Sequence, residues 1–139
     1  MWQSGISGLI LWPPLRFFAS GVPIHLAPLD ATNQILWTEA DARGWVSSGS
    51  PEGALAAELL QWMLDSWSVQ RVYIWDLVAA VNATDPALCP EVPLAVDIVV
   101  APGLEQGQTV VTDQLPNVTV CLDPDPEGIK ALTAAVLGR

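Results

Sequence analysis

The sequence predicts an α/β fold: a mixed sheet with flanking helices and an antiparallel hairpin. Three observations point there. Val22–Asp30 is a nearly unbroken apolar run, the character of a parallel strand covered on both faces. Helix-start signals recur at Thr38, Ser50 and Asp125. After Pro90 the apolar residues fall into period two, the spacing of a half-buried strand.

The chain has 139 residues, room for one domain, and residues 1–139 are read as a single one. Fifteen acidic against 5 basic residues leave a net charge of −10. A protein that tracks a nucleic-acid backbone needs the opposite sign, which excludes nucleic acid as a partner. Anionic membrane surfaces are disfavoured on the same ground, and cations, divalent metals included, are favoured. The chain is 51% hydrophobic and only 14% charged, more apolar than one small domain readily buries. That excess predicts a homo-oligomer or a missing partner segment. No apolar stretch reaches the ~20 residues of a membrane span. Ile6–Trp12 has no basic flank before it and stops at Pro13-Pro14, unlike a signal peptide. The expectation is a soluble, cytoplasmic protein with no membrane partner. Cys89 and Cys121 form no CxxC pattern and are expected as buried thiols rather than a disulfide.

In chain order, Pro13–Gly21 reads as a short helix with proline in its first turn and glycine at its stop. Val22–Asp30 follows as the strand, narrowed by Pro23 and Pro28 to its middle residues. Thr38-Glu39-Ala40-Asp41 is a capping box in the broad sense, opening a helix that ends near Gly44–Trp45. Ser50-Pro51-Glu52 opens a longer helix running to about Trp67. Its Leu55, Leu59, Leu60, Trp62, Met63 and Trp67 fall mainly on one stripe, expected as core. Val72–Val81 has helical spacing and stops before Asp85-Pro86. Val92, Leu94, Val96, Ile98 and Val100 share one face of a strand. Gly107–Thr112 is its hairpin partner across a short link, and Asn117–Asp123 is a third strand. Asp125-Pro126-Glu127 opens the last helix.

The stretch Tyr73–Val81 carries the most unusual chemistry. Asp76 is a carboxylate set among Trp, Ile, Leu and Val. Burying it alone is too costly, so it is expected to be paired, metal-bound or at the mouth of a pocket. Trp75 beside it offers a flat face for a ring. Both fall in the first turn of a helix, where a negative charge is favoured. Tyr73 and Arg71 either line the same place or serve packing and surface. His25, the only histidine, reads as a core or strand-end residue bonded to backbone, with no second His or Cys near it. The polar cluster Asp30–Gln34 follows a strand, where open α/β sheets place ligands; it equally suits a self-capped turn. Asp123, Asp125 and Glu127 lack the glycine spacing of a calcium loop and read as turn and capping residues. No P-loop, GxGxxG, GxSxG or HExxH occurs.

Four short motifs stand in order. They are Ser20-Gly21-Val22-Pro23-Ile24, Pro28-Leu29-Asp30-Ala31-Thr32-Asn33, Trp75-Asp76-Leu77-Val78-Ala79-Ala80 and Gly107-Gln108-Thr109-Val110-Val111. Together they resemble the C-terminal half of the inosine-uridine-preferring nucleoside hydrolases, from about Leu15 onward. The resemblance implies the C-terminal portion of that family's fold. It also implies a calcium-dependent N-glycosidase that cleaves purine ribonucleosides to free base and ribose. Asp76 matches the family's late aspartate, a calcium ligand. Trp75 matches the position before it, a histidine in the inosine-uridine subgroup and a base-stacking tryptophan in the purine-preferring one.

The resemblance assigns no catalytic residue to this chain. The family's Asp-x-Asp-x-x-x-Asp-Asp cluster has no counterpart, and Ser7–Pro14 stands where a ribose-holding Glu-x-Asn segment belongs. The expectation is therefore the C-terminal part of a longer hydrolase domain, inactive by itself. The competing expectation is a non-catalytic remnant or interaction module without the calcium site.

Overall fold

The computed structural model describes residues 17–139. The helix expected over Pro13–Gly21 lies partly outside them; Phe17 and Phe18 are helical. Ser7–Pro14 lies wholly outside. The elements in chain order are β1 (His25–Leu26), α1 (Leu29–Thr32), β2 (Trp37–Thr38), α2 (Glu39–Ser47), α3 (Pro51–Ser66), β3 (Arg71–Val72), α4 (Trp75–Thr84), a 3-10 turn (Pro86–Leu88), β4 (Glu91–Ile98), β5 (Thr109–Thr112), β6 (Val118–Cys121) and α5 (Pro126–Leu137). They divide into two compact units, one of residues up to Leu26 with Glu91–Val120, the other of Ala27–Pro90 with Cys121–Arg139.

The first unit holds a mixed sheet in the order β1-β6-β4-β5. β1 runs parallel to β6, His25 opposite Thr119 and Leu26 opposite Val120. β4 and β5 form the expected antiparallel hairpin, from Ala95 opposite Thr112 to Ile98 opposite Thr109. Ile24, Val96, Val118 and Val120 make its core, with Phe18, Leu26 and Leu94 packed against them. Two expectations need correction. The strand over Val22–Asp30 shrinks to two residues, because the Pro28 carbonyl accepts from the N–H groups of Ala31 and Thr32, each at 3.0 Å, and turns the chain into α1. The period-two face is buried only at Val96 and Ile98; Val92 and Val100, at its ends, are exposed.

The second unit packs helices around a two-stranded antiparallel pair, Trp37 opposite Val72 and Thr38 opposite Arg71. Its core is Ile35, Trp37, Ala42, Trp45, Ala57, Leu60, Leu64, Val72, Val78, Val81 and Ile129. The start signals act as expected. The Asp41 carboxylate accepts from the Thr38 N–H at 2.8 Å. Ser50 Oγ accepts from Gly53 N at 2.9 Å, and Asp125 Oδ1 from Gly128 N at 3.0 Å. Helix α2 runs past Gly44 and stops at Gly49, whose φ of 77° suits a residue without a Cβ.

The single core stripe expected on α3 splits in two. Gly53, Ala57, Leu60 and Leu64 are buried, whereas Leu55, Leu59, Trp62 and Trp67 are exposed, Trp62 at 62%. At 100° per residue Leu55, Leu59 and Trp62 lie opposite the buried stripe. Close approach to α2 selects the small-residue side: a Cβ on Gly53 would fall 2.6 Å from the Trp45 carbonyl oxygen.

Cys89 and Cys121, expected as free thiols, are paired in a disulfide with Cα atoms 5.4 Å apart, both buried against Ala31. Their sequence separation of 32 hides a contact that the fold makes. Asp125 N donates to Leu88 O at 2.8 Å and draws the chain after β6 against the 3-10 turn.

Candidate functional site

Val72 pairs with Trp37 in the β2–β3 ribbon, so it is a strand residue and not the helix start expected from its spacing. The chain leaves the ribbon through Tyr73 and Ile74 and enters α4 at Trp75. Ile74 offers no side-chain cap. Asp76 is the acid of the first turn, where the exposed peptide N–H groups favour a negative charge. Both sequence-predicted site residues thus sit in this turn, and both face outward; Trp75 is 48% exposed.

The indole of Trp75 is held on two sides. Its ring lies 6.1 Å from that of Tyr73, centroid to centroid, with planes only 12° apart. Its Nε1–H donates to Asn33 Oδ1 at 2.8 Å. Asn33 caps the C-terminus of α1, and its own N–H donates to Leu29 O at 2.9 Å. Gln34 beside it donates to Asp30 O at 2.8 Å and to Leu122 O at 2.9 Å. The polar cluster Asp30–Gln34 therefore divides its roles. Gln34 ties down a turn, and Asn33 reaches the candidate site. That link spans 42 residues of sequence. Its only sequence signal is a polar cluster at the end of a strand.

The other candidates lie elsewhere. His25 Nδ1 is 2.7 Å from Glu91 Oε2 and 3.2 Å from Thr119 Oγ1, bridging β1, β6 and β4 in the first unit. It is a strand-end residue, as expected, though its partners are side chains. Asp125 is an N-cap. Among the described residues no group of three or more His, Cys, Asp or Glu could hold a metal ion. Residues 1–16 contain no acid, histidine or cysteine. Calcium takes about 6–8 oxygen ligands, so this chain's own donors do not fit it. A cavity of about 540 Å3 in the first unit and one of about 450 Å3 between α4 and α5 are lined by neither Trp75 nor Asp76.

Residues 16–131 match the inosine-uridine preferring nucleoside hydrolase family. The chain belongs to this family. Its members hydrolyse nucleosides at the N-glycosyl bond. The chain is 30% identical over 127 residues to the pyrimidine-specific ribonucleoside hydrolase RihA of Shigella boydii, an alignment covering 84% of this chain and 41% of that protein. RihA of Salmonella gallinarum is 32% identical over 133 residues, with the same coverage. Among solved structures, an inosine-uridine preferring nucleoside hydrolase from Bacillus anthracis superposes with a TM-score of 0.76 at 20% identity, over 92% of this chain and 40% of that one. A purine-preferring ribonucleoside hydrolase from Gardnerella vaginalis gives 0.73 at 20% identity, over 88% and 42%. The fold is that of the nucleoside hydrolases. The chain spans about two fifths of the length of the curated relatives it matches.

Proposed function

We propose that this chain carries the base-facing wall of a nucleoside hydrolase site acting on purine ribonucleosides. One observation carries the reading: Trp75 stands in an exposed first helical turn, held in one orientation beside the outward carboxylate of Asp76. An aromatic face stacks on a nucleobase for about 1–3 kcal/mol. A bicyclic purine covers more of that face than a pyrimidine does. The indole cannot protonate a departing base, because its N–H is a donor that does not titrate usefully. Trp75 therefore binds and orients the base.

Asp76 is proposed as one carboxylate of a calcium site. The other ligands are proposed to come from outside the described residues, among which no group of three or more His, Cys, Asp or Glu could hold a metal ion. By itself the chain is expected to bind calcium weakly and to release no hypoxanthine from inosine. Release by the purified chain would overturn that expectation.

A second reading takes pyrimidine ribonucleosides as substrate, and the RihA relatives favour it. The two readings separate in one titration. Tryptophan fluorescence is followed on adding inosine or uridine in EDTA, for the chain and for Trp75→Phe; the difference isolates Trp75 from the other tryptophans, 7 in all. Quenching by inosine that Trp75→Phe loses supports the purine reading. Stronger binding of uridine supports the pyrimidine one, and no change with either ligand removes Trp75 from the site.

A further inference from the structure

We infer that Asn33 is a positioning residue: by accepting the indole N–H it fixes the Trp75 ring, so that base recognition there runs through the ring face and not through a hydrogen bond. This rests on the base-stacking reading above, and it adds a residue and a mode of selection to it.

The physical reasons lie in the partners. An exposed indole N–H is satisfied by water, so burial does not require the Asn33 bond. Its effect is geometric. Asn33 must present its amide oxygen, because the indole nitrogen donates only. That oxygen is itself held in place. The Asn33 backbone is bonded to Leu29 O, α1 is anchored through buried Ala31 and Thr32, and Gln34 clamps the same turn to Leu122 O. Tyr73 lies nearly parallel to the indole and limits its tilt. With edge and tilt both restrained, the ring loses little rotamer freedom when a ligand arrives.

A chemical consequence follows. The only polar atom of Trp75 is already occupied, so the residue cannot read the donors and acceptors of a base. It discriminates by overlap area, which favours bicyclic over monocyclic rings whatever their substituents. Inosine, adenosine and guanosine should therefore perturb Trp75 to similar extents, and uridine less.

The test is a 15N–1H spectrum of the full chain, with the Trp75 indole signal identified by its loss in Trp75→Phe. In the unsubstituted chain this N–H should exchange slowly with water for a half-exposed group. Asn33→Ala should shift the signal and speed its exchange, and Asn33→Asp, which keeps an acceptor, should restore it. Asn33 is exposed, so neither change threatens the fold. Inosine affinity should fall roughly 3- to 10-fold in Asn33→Ala and recover in Asn33→Asp. An indole signal unmoved by Asn33→Ala overturns the inference, as does a moved signal with unchanged inosine affinity. If inosine leaves Trp75 unperturbed in the unsubstituted chain, the base-stacking reading fails. The positioning of the ring is still decided by the exchange measurement alone.

Discussion

The second unit contains two aromatic pairs built in opposite ways. Trp37 and Trp45 meet at 5.3 Å with planes 49° apart and are sealed in the core, Trp37 at 0% exposure. The Trp37 N–H has no hydrogen-bond partner among the described residues. Tyr73 and Trp75 lie nearly parallel at the surface, and the Trp75 N–H has a directed partner in Asn33. The sealed ring forgoes a hydrogen bond in order to fill space. The open ring keeps one that burial does not demand. Packing thus explains the first pair. The second is held in an orientation that burial does not require, which is what the proposed base-stacking role would use.

The largest expected effect tests that division directly. Trp37→Ala removes a fully buried indole and should cost about 3–5 kcal/mol, read as a lowered denaturant midpoint. Trp75→Ala should change stability by less than about 0.5 kcal/mol, as surface substitutions usually do. It should nevertheless weaken inosine binding by about 5-fold or more, the low end of base stacking. Equal stability losses at the two positions would erase the contrast.

A second effect concerns what steadies the open pair from beneath. The Cys89–Cys121 disulfide is buried against Ala31 of α1, the element that ends in Asn33. Replacing both cysteines by alanine should cost about 2–4 kcal/mol, because the bond closes a loop of 32 residues. The Trp75 indole signal should stay in place while the protein remains folded, since Gln34 still clamps α1 through Leu122 O. A displaced signal would make the disulfide part of the site's support.

Much of this was legible in the residues. The Ser50 and Asp125 caps act locally, over three residues, and the structure repeats them. The hairpin likewise follows from adjacent strands and a short link. The strand over Val22–Asp30 was cut short by a local turn at Pro28, and the other misreadings share one cause, which is tertiary choice among local options. Spacing could not say which apolar side of α3 turns inward, because packing chose the side of Gly53, Ala57, Leu60 and Leu64 over that of Leu55, Leu59 and Trp62. Val72 has helical spacing but pairs with Trp37, 35 positions earlier. The disulfide and the Asn33–Trp75 bond join residues 32 and 42 apart, beyond any local signal. Trp75 and Asp76 were visible as an odd pair, and their first-turn placement held although the helix starts at Trp75 and not at Val72. The residue that orients Trp75 was not visible.

The smallest effect asks whether the sealed pair is held by packing alone. Lys130 Nζ lies 5.5 Å from the Trp37 ring centroid and 3.1 Å from Asp41 Oδ1, and both partners of this ion pair are mostly buried. Lys130→Met keeps the alkyl stem and removes the charge. The expected loss is about 1 kcal/mol, combining a partly desolvated cation–π contact with an ion pair. Asp41→Asn separates the two, since it weakens the ion pair and leaves the ammonium over the ring. If Lys130→Met costs more than Asp41→Asn, the ring contact contributes and the sealed pair has an electrostatic component. If Lys130→Met costs no more than Asp41→Asn, which also weakens the cap on the Thr38 N–H, the loss needs no ring contribution and packing accounts for Trp37. Neither substitution should alter the inosine response of Trp75, because no contact joins Lys130 to Tyr73, Trp75 or Asn33 among the described residues. A change in that response would mean that the two aromatic pairs act as one structure.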